Sequence, residues 1–95
     1  MTDTEFLSRL PEGTRKPSEK EFEAIQFVYD YHPSIRRYPV EGKDQIAMLY
    51  STFGMRIIRD MYETSKRTQE LEDERRQLKA RLNAVERELE ELSMK

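Results

Sequence analysis

The sequence predicts an all-α protein, with a helical hairpin head followed by a long C-terminal helix that forms a parallel dimeric coiled coil. Apolar residues recur at seven-residue spacing from Ala47 to Leu92, and the stretch 44–94 holds no proline and one glycine, Gly54. Charged residues make up 38% of the chain and hydrophobic ones 36%, against about 25% and 45–50% in ordinary domains. A chain of this composition forms only a small core, so we expect it to bury further apolar surface by associating with another chain.

The 95 residues divide into three parts. Residues 1–17 form an N-terminal arm, in which Pro11, Gly13 and Pro17 interrupt regular structure. The FLSRL stretch of the arm either docks or is mobile, since so short a helix is marginal by itself. Residues 18–62 form the helical head, and residues 63–95 form the coiled-coil extension.

The head begins with a well-marked helix, predicted over residues 18–31. Ser18 and Glu21 have the capping-box spacing, in which each side chain satisfies a backbone amide near the other residue. Pro33 disfavours helical geometry at His32, which ends the helix. Residues 32–43 hold two prolines and Gly42 and are predicted to form a structured loop. The long helix, or two nearly continuous ones, is expected to start near Asp44, antiparallel to the first helix. Its first part, 44–62, is apolar nearly all round. Its burial therefore suggests that the head is dimeric.

A single heptad frame fits from Ala47 to Leu92 without a stutter. Charges beside the predicted seam favour parallel pairing, because Arg67 with Glu72, Glu74 with Lys79 and Arg81 with Glu86 are all attractive in that arrangement. Arg75 occupies a seam position, where a charge lowers stability and favours a defined register. The residues predicted to dimerise are Ile57, Met61, Leu71, Arg75, Leu78, Leu82, Val85, Leu89 and Leu92.

One stretch has the composition of a binding site. Arginine and tyrosine are enriched in interface hot spots, and both types cluster around the first proline-rich turn. An alternative interpretation is structural, with the tyrosines packing on the head and the arginines pairing with Glu41 or Asp30. The candidate partner-binding residues are Tyr31, His32, Arg36, Arg37 and Tyr38.

Features of an enzyme or a metalloprotein are weak in this sequence. The chain has no cysteine and one histidine, so His32 is expected to cap a turn, and we predict no metal and no cofactor. No pattern of nucleophile and base stands out among the serines, and Gly42-Lys43 lacks the rest of a phosphate-binding loop. An enzyme built at a dimer interface is a third class of function, ranked after the two hypotheses described next.

The leading hypothesis is a non-enzymatic homodimer that presents a paired head to another protein, as an adaptor, assembly factor or small inhibitor of the size that phages and mobile elements encode. The alternative is a dimeric DNA-binding regulator that uses Arg36 and Arg37. The net charge of −2 lacks the positive excess typical of nonspecific nucleic-acid binding. No stretch is apolar enough for a membrane span, and the N-terminus lacks a signal-peptide core, so we expect a cytoplasmic protein.

Overall fold

The computed structural model describes residues 1–94, so Lys95, the end of the predicted extension, lies outside the described residues. The chain is 82% helical, which confirms the all-α prediction. None of its helices, within this range, has the length and apolarity needed to cross a bilayer. The helices are α1 (Asp3–Ser8), α2 (Glu19–Tyr31), α3 (Pro33–Arg36), α4 (Pro39–Phe53) and α5 (Met55–Ser93).

The N-terminal arm docks on the head. Its short helix α1 opens with a capping box between Thr2 and Glu5, which compensates in part for its length. Phe6 follows and is fully buried. Its ring centroid lies 5.9 Å from that of Phe22 on α2 and 5.6 Å from that of Tyr50 on α4. The arm therefore contributes a central side chain of the core, and the docked alternative is confirmed.

Helix α2 follows the sequence prediction closely. The Glu21 amide donates to the Ser18 hydroxyl at 3.2 Å, and the Ser18 amide donates to the Glu21 carboxylate at 2.9 Å. The predicted capping box is confirmed, and the helix ends at Tyr31 as Pro33 requires. Ile25 and Val28 are buried on its inner face.

The prediction of a non-helical loop over residues 32–43 is wrong. Pro33 opens α3, and Pro39 opens α4 five residues before the predicted start at Asp44. Proline suits the first position of a helix, because the amide that it lacks has no partner there in any helix. Gly42 lies inside α4, where a Cβ atom would come within 2.9 Å of the Ile35 side chain and carbonyl oxygen. A glycine at this position therefore permits α3 and α4 to pack closely.

The stretch from Asp44 to Met94, predicted as one long helix or two nearly continuous ones, lies in two helices, α4 and α5, and the chain reverses between them at Gly54. The Tyr29 hydroxyl, near the end of α2, donates to the Pro39 carbonyl at the start of α4. Phe6 touches both the first part of α2 and the last part of α4. Helices α2 and α4 are therefore antiparallel, which is the arrangement predicted for the first helix and the start of the second. The Phe27 ring in the middle of α2 lies 4.8 Å from that of Tyr62 on α5.

The ion pair of Arg36 with Glu72 lies further along α5, so α5 runs parallel to α2. Helices α4 and α5 are therefore a hairpin, and the head is a three-helix arrangement of α2, α4 and the start of α5. The 39-residue α5 extends beyond it and is about 58 Å long at 1.5 Å per residue. The whole molecule measures 71 × 22 × 21 Å.

One chain buries the core-facing residues of the apolar stretch 44–62. Its core side chains are covered by α1, α2 and α3 and by the packing of α4 against α5. Burial of the core therefore does not require a second chain. The dimer itself stays a prediction, and its support comes from the extension. The buried apolar residues of the core are Phe6, Ile25, Val28, Ile35, Ile46, Ala47, Tyr50 and Ile58.

Replacing Gly54 by alanine should destabilise the head. Gly54 has φ 69° and ψ −157°, a region that is almost restricted to glycine, where an L-residue costs on the order of 1–3 kcal/mol. A Cβ atom would meet nothing within 4 Å, so the cost is conformational and not steric. Urea denaturation should show the loss in the free energy of unfolding. A D-alanine introduced at position 54 by chemical ligation is the control, since it favours these angles, and an equal loss with both residues would contradict this account.

Ion pairs connect the arm to the head at Arg9 with Asp44, Lys43 with Glu5 and Arg15 with Glu21. Lys43 Nζ lies 2.6 Å from Glu5 Oε2, and Arg15 Nη2 lies 2.7 Å from Glu21 Oε2. The hydrogen bond from Lys43, aided by the Thr2 amide, lowers the pKa of Glu5 to about 2. The hydrogen bond from Arg15, aided by the Ser18 amide, lowers the pKa of Glu21 to about 2 as well. Both carboxylates are thus stabilised in their charged form.

These shifts predict that acid weakens the fold. Because the pKa values of both carboxylates fall from 4.5 to about 2 on folding, their stabilisation is full above pH 4.5 and is lost as the pH drops towards 2. The free energy of unfolding, measured in urea along this range, should therefore decrease with falling pH. The double variant Glu5→Gln/Glu21→Gln should show a flatter dependence, while Glu23→Gln, an exposed residue of the same helix α2, should leave the slope unchanged. An unchanged slope in the double variant would argue against these two pairs.

Candidate functional site

The second half of α5 projects away from the head. Every residue from Asp73 to Met94 is exposed, and we call this segment the tail. Its 22 residues span about 33 Å at helical rise. Such an isolated helix is marginal in water, because most helical stability in proteins comes from packing. Because all of its residues are exposed, the tail lacks a packing partner within the described chain.

One face of this helix is apolar, and its residues follow the predicted heptad frame. The exposed fraction of these large side chains ranges from 47% to 67%. Exposed leucines are common singly, but a contiguous apolar stripe usually marks an interaction surface. Arg75 interrupts the stripe and is exposed as well. We call this stripe the seam; its apolar members are Leu71, Leu78, Leu82, Val85, Leu89 and Leu92.

Ile57 and Met61, the other predicted dimerisation residues, have different surroundings. Both are partly buried and pack against the hydrophobic core of the head. The heptad frame alone does not separate them from the seam, because all of these residues lie on α5 in one register and differ only in how far the head covers them. Of the predicted dimerisation residues, those from Leu71 onwards lie on the exposed face.

The five candidate partner-binding residues divide into two groups. Tyr31 packs against Phe27 with ring centroids 4.9 Å apart, and the Arg36 guanidinium lies 5.8 Å from the Tyr31 ring centroid while pairing with Glu72. His32 caps α3, because its Nδ1 accepts from the Ser34 amide at 3.3 Å, and burial lowers its pKa. These three residues thus have structural contacts, which confirms the capping prediction for His32.

Arg37 and Tyr38 remain on the surface. The Arg37 guanidinium lies 5.9 Å from the centroid of the Tyr38 ring, and Tyr38 is 55% exposed. Val40, the second residue of α4, is 75% exposed. Arg37, Tyr38 and Val40 thus form a small exposed patch beside Arg36, whose side chain is 45% exposed but paired with Glu72. Val40 was missed because the sequence placed it in a loop.

No protein-family model matches the chain, and no curated protein or solved structure resembles it at a significant level. The function is therefore argued from the site itself. Across residues 1–94, no group of three or more histidine, aspartate and glutamate side chains lies close enough to hold a metal ion.

A second exposed apolar surface lies at the hairpin end. Phe53, the last residue of α4, is 59% exposed and lines an open groove of about 450 Å³ with Thr52, Arg56, Ile57 and Asp60. Sequence reasoning placed Phe53 inside a buried helix. The sequence signal for the exposure of Phe53 is its position next to Gly54. That position indicates a turn only if the glycine is known to break the helix.

Proposed function

We propose that this protein is a non-enzymatic homodimeric coiled-coil module that presents two helical heads to a protein partner. One observation supports the proposal above all: the tail exposes a heptad-spaced apolar seam on a helix that its own head leaves uncovered. A second copy is the natural partner for such a seam, because knobs-into-holes packing matches identical a and d positions. An adaptor, assembly factor or small inhibitor acting in the cytoplasm fits this architecture.

Parallel pairing is proposed from the charges beside the seam. In a parallel dimer, Glu74 meets the partner's Lys79 and Arg81 meets the partner's Glu86, and both contacts are attractive. Glu72, which already pairs with Arg36, would lie between Arg36 and the partner's Arg67. Each exposed pair contributes only about 0–1 kcal/mol, so these charges set the direction of pairing more than its strength.

The partner-binding surface that we propose is the patch formed by Arg37, Tyr38 and Val40, present twice in the dimer. Large aromatic and arginine side chains provide much of the binding energy in protein interfaces. The DNA-binding alternative is less well supported, because the Arg36 guanidinium is engaged by Glu72 and Tyr31.

Assembly is tested first. Sedimentation equilibrium at micromolar concentration should give the mass of a dimer, and a monomer would refute the proposal. A spin label on a cysteine introduced at Asn83, in a chain that has no cysteine of its own, reports the direction. A short distance between the two labels is expected for parallel helices in register, whereas an antiparallel pair centred on the head would separate them widely.

Partner binding is tested by capture from the native host with the wild-type chain and with Tyr38→Ala as bait. A protein retained by the wild type and lost with the variant supports the proposed patch. Glu41→Ala, which changes an exposed residue beside the patch, is the matched control. Tight, salt-dependent binding to random duplex DNA would favour the nucleic-acid alternative instead.

A further inference from the structure

The exposed ring of Phe53 lies on the same side of α5 as the seam. Residues seven apart on a straight helix differ in direction by only about 20°, so Leu71, Thr64 and Ile57 form a line that runs up the helix into the head. Ile57 is a wall of the groove that Phe53 also lines. The groove is therefore the upward continuation of the seam.

The seam alone provides only a short interface. From Leu71 to Leu92 the seam covers just over three heptads, near the lower limit for a coiled coil, and Arg75 weakens its first turn. Thr64 and Thr68 add little apolar surface above it. An interface that ended at Leu71 would thus be marginal, and further apolar contact at the head would strengthen it.

The groove has the features that a second copy requires. A parallel two-fold axis along the seam places identical grooves opposite each other, so the same residues must supply both the protruding and the receiving group. Phe53 is the protruding group, with 59% of its surface exposed. Ile57 and Arg56 also line the groove. An isoleucine side chain and the aliphatic stem of an arginine can receive a ring, and a guanidinium can lie over its face.

We propose that the dimer interface extends from the tail onto the head, with Phe53 of each protomer packed in the groove of its partner, against the partner's Ile57 and the stem of the partner's Arg56. The inference rests on the proposed homodimer. It adds that the two heads contact each other and are held in a fixed arrangement, so that their two Arg37–Tyr38 patches have a defined separation.

The first test compares two variants of equally exposed residues on α4. Phe53→Ser should raise the dimer dissociation constant about tenfold or more, measured by sedimentation of the full chain. Met48→Ser is the control, because Met48 is also 59% exposed but lies five residues away, about 140° around the helix. Met48→Ser should leave the dissociation constant unchanged. Thermal unfolding of both variants checks that the head stays folded.

The outcomes separate this inference from the proposed function. If the wild type is a monomer, both fail. If the wild type is a dimer and the Phe53→Ser variant dimerises as tightly, the tail-only interface holds and the head contact is refuted. Weakening by both variants to the same degree would also refute it, because the effect would not depend on the groove.

The second test measures proximity directly. A single cysteine at Asp60, which lines the groove, should be crosslinked to its counterpart by a short bismaleimide in the full-length dimer. A cysteine at Arg59, which is also exposed but lines the groove between α2 and α5, should not react between chains. Equal crosslinking at both positions, or none at Asp60, would overturn the proposed head contact.

Discussion

The Leu82→Glu variant should dissociate into monomers at concentrations where the wild type is a dimer. Leu82 lies in the middle of the seam and is 56% exposed in the single chain. In the dimer, the variant would bury two carboxylates against apolar side chains with no partner, which is costly. We expect the dissociation constant to rise by roughly three orders of magnitude, which corresponds to about 4 kcal/mol. Sedimentation equilibrium measures the change.

Circular dichroism of the same variant gives a second readout. An isolated helix of about twenty residues is marginal in water, so the tail should lose helicity when the dimer dissociates, while the head retains its own. Ala84→Glu is the matched control, because Ala84 is two residues away on the exposed outer side of the heptad frame. If both variants keep the dimer, the seam is not the interface.

The Phe6→Ala variant should have the largest effect on the stability of the head. Phe6 is fully buried and contacts the rings of Phe22 and Tyr50. Removing a buried phenylalanine side chain costs about 3–5 kcal/mol, which is a large share of the roughly 5–15 kcal/mol that stabilises a typical domain. Urea denaturation should show a much lower midpoint.

Leu7→Ala is the control for Phe6→Ala, because Leu7 is adjacent in α1 but only partly buried. Its loss should be clearly smaller. Equal losses would mean that the arm contributes as a whole and that Phe6 is not its anchor. Neither substitution should change the tail, whose residues from Asp73 onwards lie beyond the contacts of the head.

Local sequence signals predicted some elements well. The Ser18–Glu21 box and the proline after His32 bounded α2, since each acts through backbone chemistry within a few residues. The tail was predicted for the same reason, because heptad spacing on an exposed helix needs no information about distant contacts. The apolar seam from Leu71 to Leu92 is thus the part of the site that the sequence predicted.

The errors arose where the meaning of a residue depends on tertiary structure. Pro33 and Pro39 were interpreted as helix breakers, but both start helices, and a proline at the first helical position is locally as acceptable as one in a loop. Gly54 fitted a heptad position equally well inside a helix or between two helices. A repeat of seven describes spacing along the chain and contains no information about reversal.

The surface around Phe53 could not be predicted for a related reason. Exposure of an apolar residue at a helix end depends on where the next helix goes, and that direction is set by the contacts of α5 with α2. Arg36 is the converse case, because its partner Glu72 is thirty-six residues away, beyond any local pattern.

The exposure of the whole tail separates the length of α5 from the fold of the head. Because every residue from 73 to 94 is exposed, removing or adding whole heptads there should leave the fold of the head unchanged. Each heptad changes the length of α5 by about 10 Å at helical rise. In the proposed dimer, the number of heptads would therefore set the distance between the heads and the far end of α5.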